Sequence, residues 1–221
     1  RGIAWTERKN TALLYEYDHN RHWLRTFVLN VDDLKAKQTP LWDYSTDEKY
    51  ANPGSPVYRR MANGDRVIRM EGDAIYLAGN GASTDGDRPF LDRLNLASRE
   101  TERLFRSEKD AYERLLAVTG VGARNFMTWR QTVVEPPNAY MRTLGEAVKA
   151  EDGEAKFNSS KSAITHIPDP TPSVRAIKKR LVKYKRADGL DLSFTLYTPP
   201  GYQEGTRVPT ILYAYPLDYA D

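Results

Sequence analysis

Short strand-like runs separated by close turns recur through the first 165 residues, and this recurrence restricts the chain to β-hairpins laid side by side. Ile3 to Glu7, Thr11 to Asp18, His22 to Asn30 and Thr39 to Tyr44 read as four short strands, divided by Arg8-Lys9-Asn10, His19-Asn20-Arg21 and a longer polar segment. In the second of them Leu13, Tyr15 and Tyr17 alternate with Leu14, Glu16 and Asp18, the period of a strand with one covered face. A second round assigns strands to Tyr58 to Met70, Asp73 to Gly79, Arg88 to Leu96 and Glu102 to Ser107, with turns at Asn80-Gly81 and Asp85-Gly86-Asp87. The third begins at Leu115 to Val118, continues through Asn125 to Val134, breaks at Glu135-Pro136-Pro137-Asn138 and resumes at Ala139 to Leu144. Thr143 to Lys156 is open to a short helix instead. Each round has roughly the 40–50 residues of a four-stranded propeller blade, and three blades do not close a ring.

The most ordered succession of signals lies between Arg180 and Asp221. Leu181 to Arg186 and Leu190 to Tyr197 flank Asp188-Gly189, a dipeptide that accepts the positive φ angles of a tight hairpin turn. In the second of these strands Leu190, Leu192, Phe194 and Leu196 share a face, the pattern of half-burial. Pro199-Pro200-Gly201 stops the sheet, because proline cannot donate to a ladder. Val208 to Tyr215 is then apolar without alternation, which suits a strand buried on both faces. Between the repeats and this stretch, His166 to Ala176 (HIPDPTPSVRA) carries three prolines and reads as an extended linker. The expected organisation is therefore propeller blades over 1–165, a linker over 166–176 and a second domain over 177–221.

The hairpin DGLDLSFTLYTPPGY and the strand ending LYAYP resemble the opening of the α/β-hydrolase domain of the prolyl oligopeptidase family of serine peptidases, in particular its glutamyl endopeptidase-like branch. GDRPFLDRLNLASRETERLFRS, from Gly86 to Ser107, resembles a propeller strand pair of that branch, so the likeness extends over most of the chain. The resemblance implies a mainly β chain: a partial β-propeller of four-stranded antiparallel blades followed by the first strands of an α/β-hydrolase domain. It further implies a catalytic role for Tyr215, whose hydroxyl would join the oxyanion hole. Pro216-Leu217-Asp218 stands where the family has small residues, a departure that leaves Tyr213 as the alternative. Taken on residues alone, both tyrosines are the amphipathic end of a buried strand.

With 33 Lys and Arg against 30 Asp and Glu, the charge of +3 is interleaved along the chain, which argues against a nucleic-acid surface. The basic run RAIKKRLVKYKR, from Arg175 to Arg186, reads as a solvated strand face, since no aromatic stacking platform accompanies it. A mean hydropathy of -0.68 and 29% charged residues mark a soluble chain, and no apolar run approaches the roughly 18 residues of a membrane span. Cysteine is absent, which excludes disulfides, thiolate zinc sites and cysteine nucleophiles. The missing thiols suit a periplasmic or secreted protein as well as a cytoplasmic one, and a bacterial periplasmic or secreted location is the slightly favoured expectation. The N-terminus, RGIAWTERKN, lacks a signal-peptide core and begins as though cut from something longer.

Other candidates are weaker. His19 and His22 flank a turn without further ligands, His166 precedes the linker, and neither a metal nor a cofactor is expected. Gly79-Asn80-Gly81 and Gly120-Val121-Gly122 lack the rest of a phosphate-binding fingerprint. Arg88 and Arg93 are candidates for holding an acidic substrate side chain, with surface ion pairing as their commoner fate. No G-x-S-x-G elbow occurs, so the nucleophile is expected outside these residues and this chain alone is expected to be inert. The implied partners are a peptide substrate and the remainder of the hydrolase domain; oligomeric state is not specified. A non-catalytic propeller scaffold is the alternative of another class.

Overall fold

The computed structural model describes residues 1–33, 35, 40–150 and 153–214. Contacts divide the chain into two units, residues 1–132 with 137–167, and residues 133–136 with 168–221.

The first unit is three antiparallel meanders. β1 (Gly2–Trp5), β2 (Thr11–Asp18), β3 (Trp23–Asn30) and β4 (Pro40–Ser45) pair in chain order. In the second sheet the first position is shared. β5 (Ser55–Pro56) pairs with one half of β9 (Ala74–Gly79) and β8 (Met70–Glu71) with the other, while β10 (Phe90–Asn95) and β11 (Thr101–Arg106) complete the sheet. Between β5 and β8 the chain makes a separate hairpin, β6 (Tyr58–Arg60) and β7 (Arg66–Ile68), closed at its base where Arg69 N donates to Val57 O at 2.8 Å. The expected single strand from Tyr58 to Met70 is thus corrected: Asn63-Gly64-Asp65 turns the chain, with Gly64 at φ 90°. The third sheet is β12 (Ala111–Val118), β13 (Asn125–Thr132), β14 (Asn138–Ala147) and β15 (Phe157–Ala163).

The third sheet brings another correction. No helix forms across Thr143 to Lys156 among the described residues; β14 continues to Ala147 and β15 follows. β15, FNSSKSA, carries almost no apolar pattern because it is an edge strand, secured by its ladder to β14 and mostly exposed.

Apolar burial explains how the three sheets stack. Ile75, Leu77 and Leu94 on one face of the second sheet meet Leu13 of β2, and Ile68 of the hairpin joins the same cluster. On the opposite face Tyr76, Leu91 and Phe105 meet Val118, Phe126 and Leu144 of the third sheet. β9 is therefore apolar at consecutive positions, Ile75-Tyr76-Leu77, as a strand covered on both faces must be.

Two charged networks are built into this stack. Glu113 of β12 is fully buried, and Arg142 of β14 donates to it through both Nε, at 2.8 Å, and Nη2, at 2.5 Å. Thr128 of β13 adds a hydroxyl donor at 2.6 Å, so one carboxylate spans three strands. Glu71 accepts from Arg69 at 2.9 Å, from Tyr76 Oη at 3.0 Å and from Gly122 N at 2.6 Å. Arg69 in turn donates to Val118 O and Gly120 O, at 2.7 and 2.8 Å. Burial alone would raise the Glu71 carboxyl, but the Gly122 N–H, Arg69 and Tyr76 outweigh it and hold it below the usual carboxylate range.

The second unit holds a single-turn helix α1 (Pro172–Arg175) and the hairpin of β16 (Lys178–Lys185) and β17 (Asp191–Thr198). The stretch read as an extended linker thus contains a helical turn, with Pro172 at its start, where the missing N–H costs nothing. The turn at Asp188-Gly189 forms as expected: Gly189 has φ 90° and Arg186 N donates to Leu190 O at 2.9 Å.

Removing one partner of a buried ion pair strands the other, so Glu113→Gln is expected to lower unfolding stability by about 3–5 kcal/mol, read by urea denaturation. Glu71 has a depressed folded pKa, so its contribution is present above its unfolded value near 4.3 and is lost as pH falls through the folded value. Glu71→Gln is therefore expected to lower stability at pH 7 and to flatten the decline of Tm on acidification below about pH 4.5.

Candidate functional site

The segment expected to carry the oxyanion donor follows β17. Pro199-Pro200-Gly201 ends the strand at Thr198, and Tyr202 N donates back to Pro199 O at 3.2 Å. Val208 to Tyr215, expected as a buried strand, forms no strand over its described residues 208–214 and is exposed: Ile211 at 95%, Leu212 at 88% and Tyr213 at 81%. A strand of this composition needs ladder partners and cover on both faces, and no described strand pairs with it. Tyr215 lies outside the described residues, as do Pro216, Leu217 and Asp218.

The hairpin before it also leaves apolar surface in water. Val182 lies opposite Phe194 and Tyr184 opposite Leu192, and the rings of Tyr184 and Phe194 meet edge to face at 6.0 Å. On the face expected to be half-buried, Leu192 and Leu196 are half-buried, whereas Phe194 is 43% and Leu190 50% exposed. The opposite face carries Lys179, Lys183 and Lys185, the solvated charges that the alternation implied.

In the first unit the two arginine candidates have different fates. Arg88 is buried and grips Glu154 with Nη1 at 2.6 Å and Nη2 at 3.1 Å, while its Nε donates to Ser107 O at 3.0 Å. The Arg88 hydrogen bonds hold the Glu154 carboxyl below its ordinary range. Arg93 pairs with Glu102 across the β10–β11 ladder and borders a groove of about 760 Å³ with Glu71, Asp73, Glu100 and Lys156. Both guanidinium groups are already matched to internal carboxylates.

His22 sits at φ 47° in the β2–β3 turn with its Nδ1 3.1 Å from Asp47, and His19 packs against Tyr17. His166 is exposed. No group of three or more metal-ligating side chains converges among the described residues, and Ser45 Oγ donates to the His22 backbone carbonyl at 3.5 Å, not to its ring. Of the glycine loops, Gly81 (φ 63°) accepts from Arg88 N at 3.0 Å, and Gly122 (φ 64°) aims its N–H at Glu71, so both serve the framework. Sequence reasoning passed over Glu71 and Glu113 because a glutamate in a strand signals exposure until partners distant in sequence are seen, Gly122 N for Glu71 and Arg142 for Glu113.

No protein-family model matches the chain. Along 99% of its length it is 29% identical to a probable chloroplastic glutamyl endopeptidase of Oryza sativa subsp. japonica and 27% identical to one of Arabidopsis thaliana. It covers 24% and 23% of those proteins, so it spans about a quarter of the length of the curated relatives it matches. These relatives are named as chloroplastic plant proteins and lend nothing to the expected bacterial periplasmic or secreted location. Among solved structures, apo prolyl oligopeptidase B from Galerina marginata aligns with 91% of the chain and 31% of its own, at 13% identity and a TM-score of 0.35. A superposition that loose decides nothing about how the sheets are arranged. The similarity to probable glutamyl endopeptidases, aligned over 99% of the chain, supports the resemblance to a prolyl oligopeptidase-family peptidase, of which this chain matches a part.

Proposed function

We propose that the chain is part of a serine peptidase of the prolyl oligopeptidase family, supplying propeller blades over 1–165, a linker over 166–176 and the first strands of the hydrolase domain over 177–221. The observation that carries this is the similarity to glutamyl endopeptidases over 99% of the chain. In this reading the three stacked sheets are blades that restrict access to short peptides. The exposed face of β16–β17 and the apolar residues 208–214 are surfaces that the rest of the hydrolase domain covers. Such uncovered apolar area on a two-stranded hairpin is what an incomplete sheet leaves.

The chemistry assigned to Tyr215 follows from charge. When a serine attacks a peptide carbonyl, the electron pair of the C=O bond moves onto oxygen and a tetrahedral oxyanion forms. A phenol O–H aimed at that oxygen donates a hydrogen bond that strengthens as the charge grows. One such donor lowers the barrier by about 2.7–4 kcal/mol. The serine and the histidine that takes its proton are assigned to the remainder of the protein, because no G-x-S-x-G elbow occurs in these residues. Donation to an oxyanion without a nucleophile accomplishes little turnover, so the 221-residue chain by itself is expected to cleave nothing.

In the full-length protein, Tyr215→Phe is expected to lower kcat by roughly 10²–10³-fold with KM nearly unchanged, since the donor acts on the transition state. Tyr213→Phe is the matched control and is expected to leave kcat intact. Steady-state kinetics on a short peptide substrate decides it: an unchanged kcat for Tyr215→Phe removes that residue from the oxyanion hole, and a loss confined to Tyr213→Phe moves the role two residues upstream.

A further inference from the structure

The hairpin inserted between β5 and β8 has a feature that fold stability does not account for. Arg60 and Arg66 are direct partners across β6–β7, so their side chains leave the same face side by side. Like charges directly opposite one another oppose strand pairing. Both are exposed, and among the described residues no carboxylate pairs with either; Arg66 lies over the Tyr58 ring at 5.0 Å. Their neighbours are treated differently. Arg59, on the other face, donates to Glu7 at 2.7 Å, and Arg69 at the base is tied to Glu71.

The hairpin carrying this pair is firmly held. The second carboxylate oxygen of Glu7 accepts from Met70 N at 2.8 Å, Glu7 N donates to Ile68 O at 3.1 Å, and Ile68 is fully buried in the core between the first two sheets. At the tip Met61 N donates to Asp65 O at 2.8 Å. Two arginines are thus held directly opposite one another on an anchored hairpin, with the Tyr58 ring under the Arg66 guanidinium. A carboxylate fits this pair, because each guanidinium presents a planar fork of donors to it and its charge relieves the repulsion between them. Pre-ordering of the hairpin removes part of the entropic cost of binding.

We propose that the β6–β7 hairpin binds acidic peptide segments, with Arg60 and Arg66 gripping a carboxylate between them. This rests on the reading of the protein as one that handles peptides. The test uses the full-length protein after treatment with a fluorophosphonate, so that binding is read without cleavage. Fluorescence anisotropy of labelled hexaglutamate is expected to show salt-sensitive binding that weakens by roughly tenfold or more in the Arg60→Gln/Arg66→Gln double variant, with hexaglutamine bound by neither protein. Arg60→Glu is the second variant: it places opposite charges across the pair, and is expected to preserve or raise Tm while abolishing hexaglutamate binding. Equal affinity of wild type and double variant for hexaglutamate overturns the proposal, as does equal binding of hexaglutamine or equally good competition by a thymidine oligonucleotide of the same charge. Mass-detected fluorophosphonate labelling reports separately on the peptidase reading. Binding without labelling keeps the hairpin's role and defeats the peptidase; labelling without binding does the reverse.

Discussion

The second sheet cannot exist alone, because its central strand is apolar on both faces. Ile75 and Leu77 point one way and Tyr76 the other, and all three are fully or almost fully buried. An antiparallel sheet that faced water would alternate apolar with polar residues. This one requires a sheet on either side, and the meanders before and after it provide them through two separate clusters. The same logic extends outward. Ile3, Trp5 and Tyr17 of the first sheet are about half exposed, as is Leu116 of the third, so these sheets carry apolar groups that their single neighbour does not cover. Stacking by burial on successive faces is the physics of a blade architecture, in which each unit completes the next.

Apolar contact between twisted sheets fixes no unique register, and the charged networks supply one. Glu113 is satisfied only when β12, β13 and β14 bring it to Arg142 and Thr128. Glu71 is satisfied only when the turn at Gly122 presents its N–H and Arg69 reaches the carbonyls of Val118 and Gly120. A misplaced neighbour leaves a carboxylate desolvated without partners, a cost larger than the net gain of the matched pair. Each network therefore discriminates against wrong arrangements more than it stabilises the right one.

Much of this was legible in the residues where period and turn chemistry agree. Thr11 to Asp18 has the bounds that its alternation gives, and Asp188-Gly189 turns the chain between the two strands it separates. Legibility failed where tertiary contacts override local pattern. β15 is polar because it is an exposed edge, and the first four residues of β12 hide a buried glutamate whose partner is 29 residues away. The Tyr58 to Met70 stretch conceals a hairpin because Asn63-Gly64-Asp65 interrupts a strand that resumes on the same neighbour. The candidate site was legible only as a resemblance. A tyrosine after an apolar run carries no signal of its role, and residues 208–214 do not adopt the buried strand that their composition suits, since nothing described pairs with them.

The central claim, that these blades and strands belong to a serine peptidase, is tested most directly by mapping the site of a fluorophosphonate adduct in the full-length protein by peptide mass spectrometry. The account predicts one adduct, on a serine within a G-x-S-x-G sequence outside these 221 residues. No adduct on natively folded protein would contradict it and leave the stacked sheets as a binding scaffold; an adduct on a serine among these residues would contradict it by placing the nucleophile here.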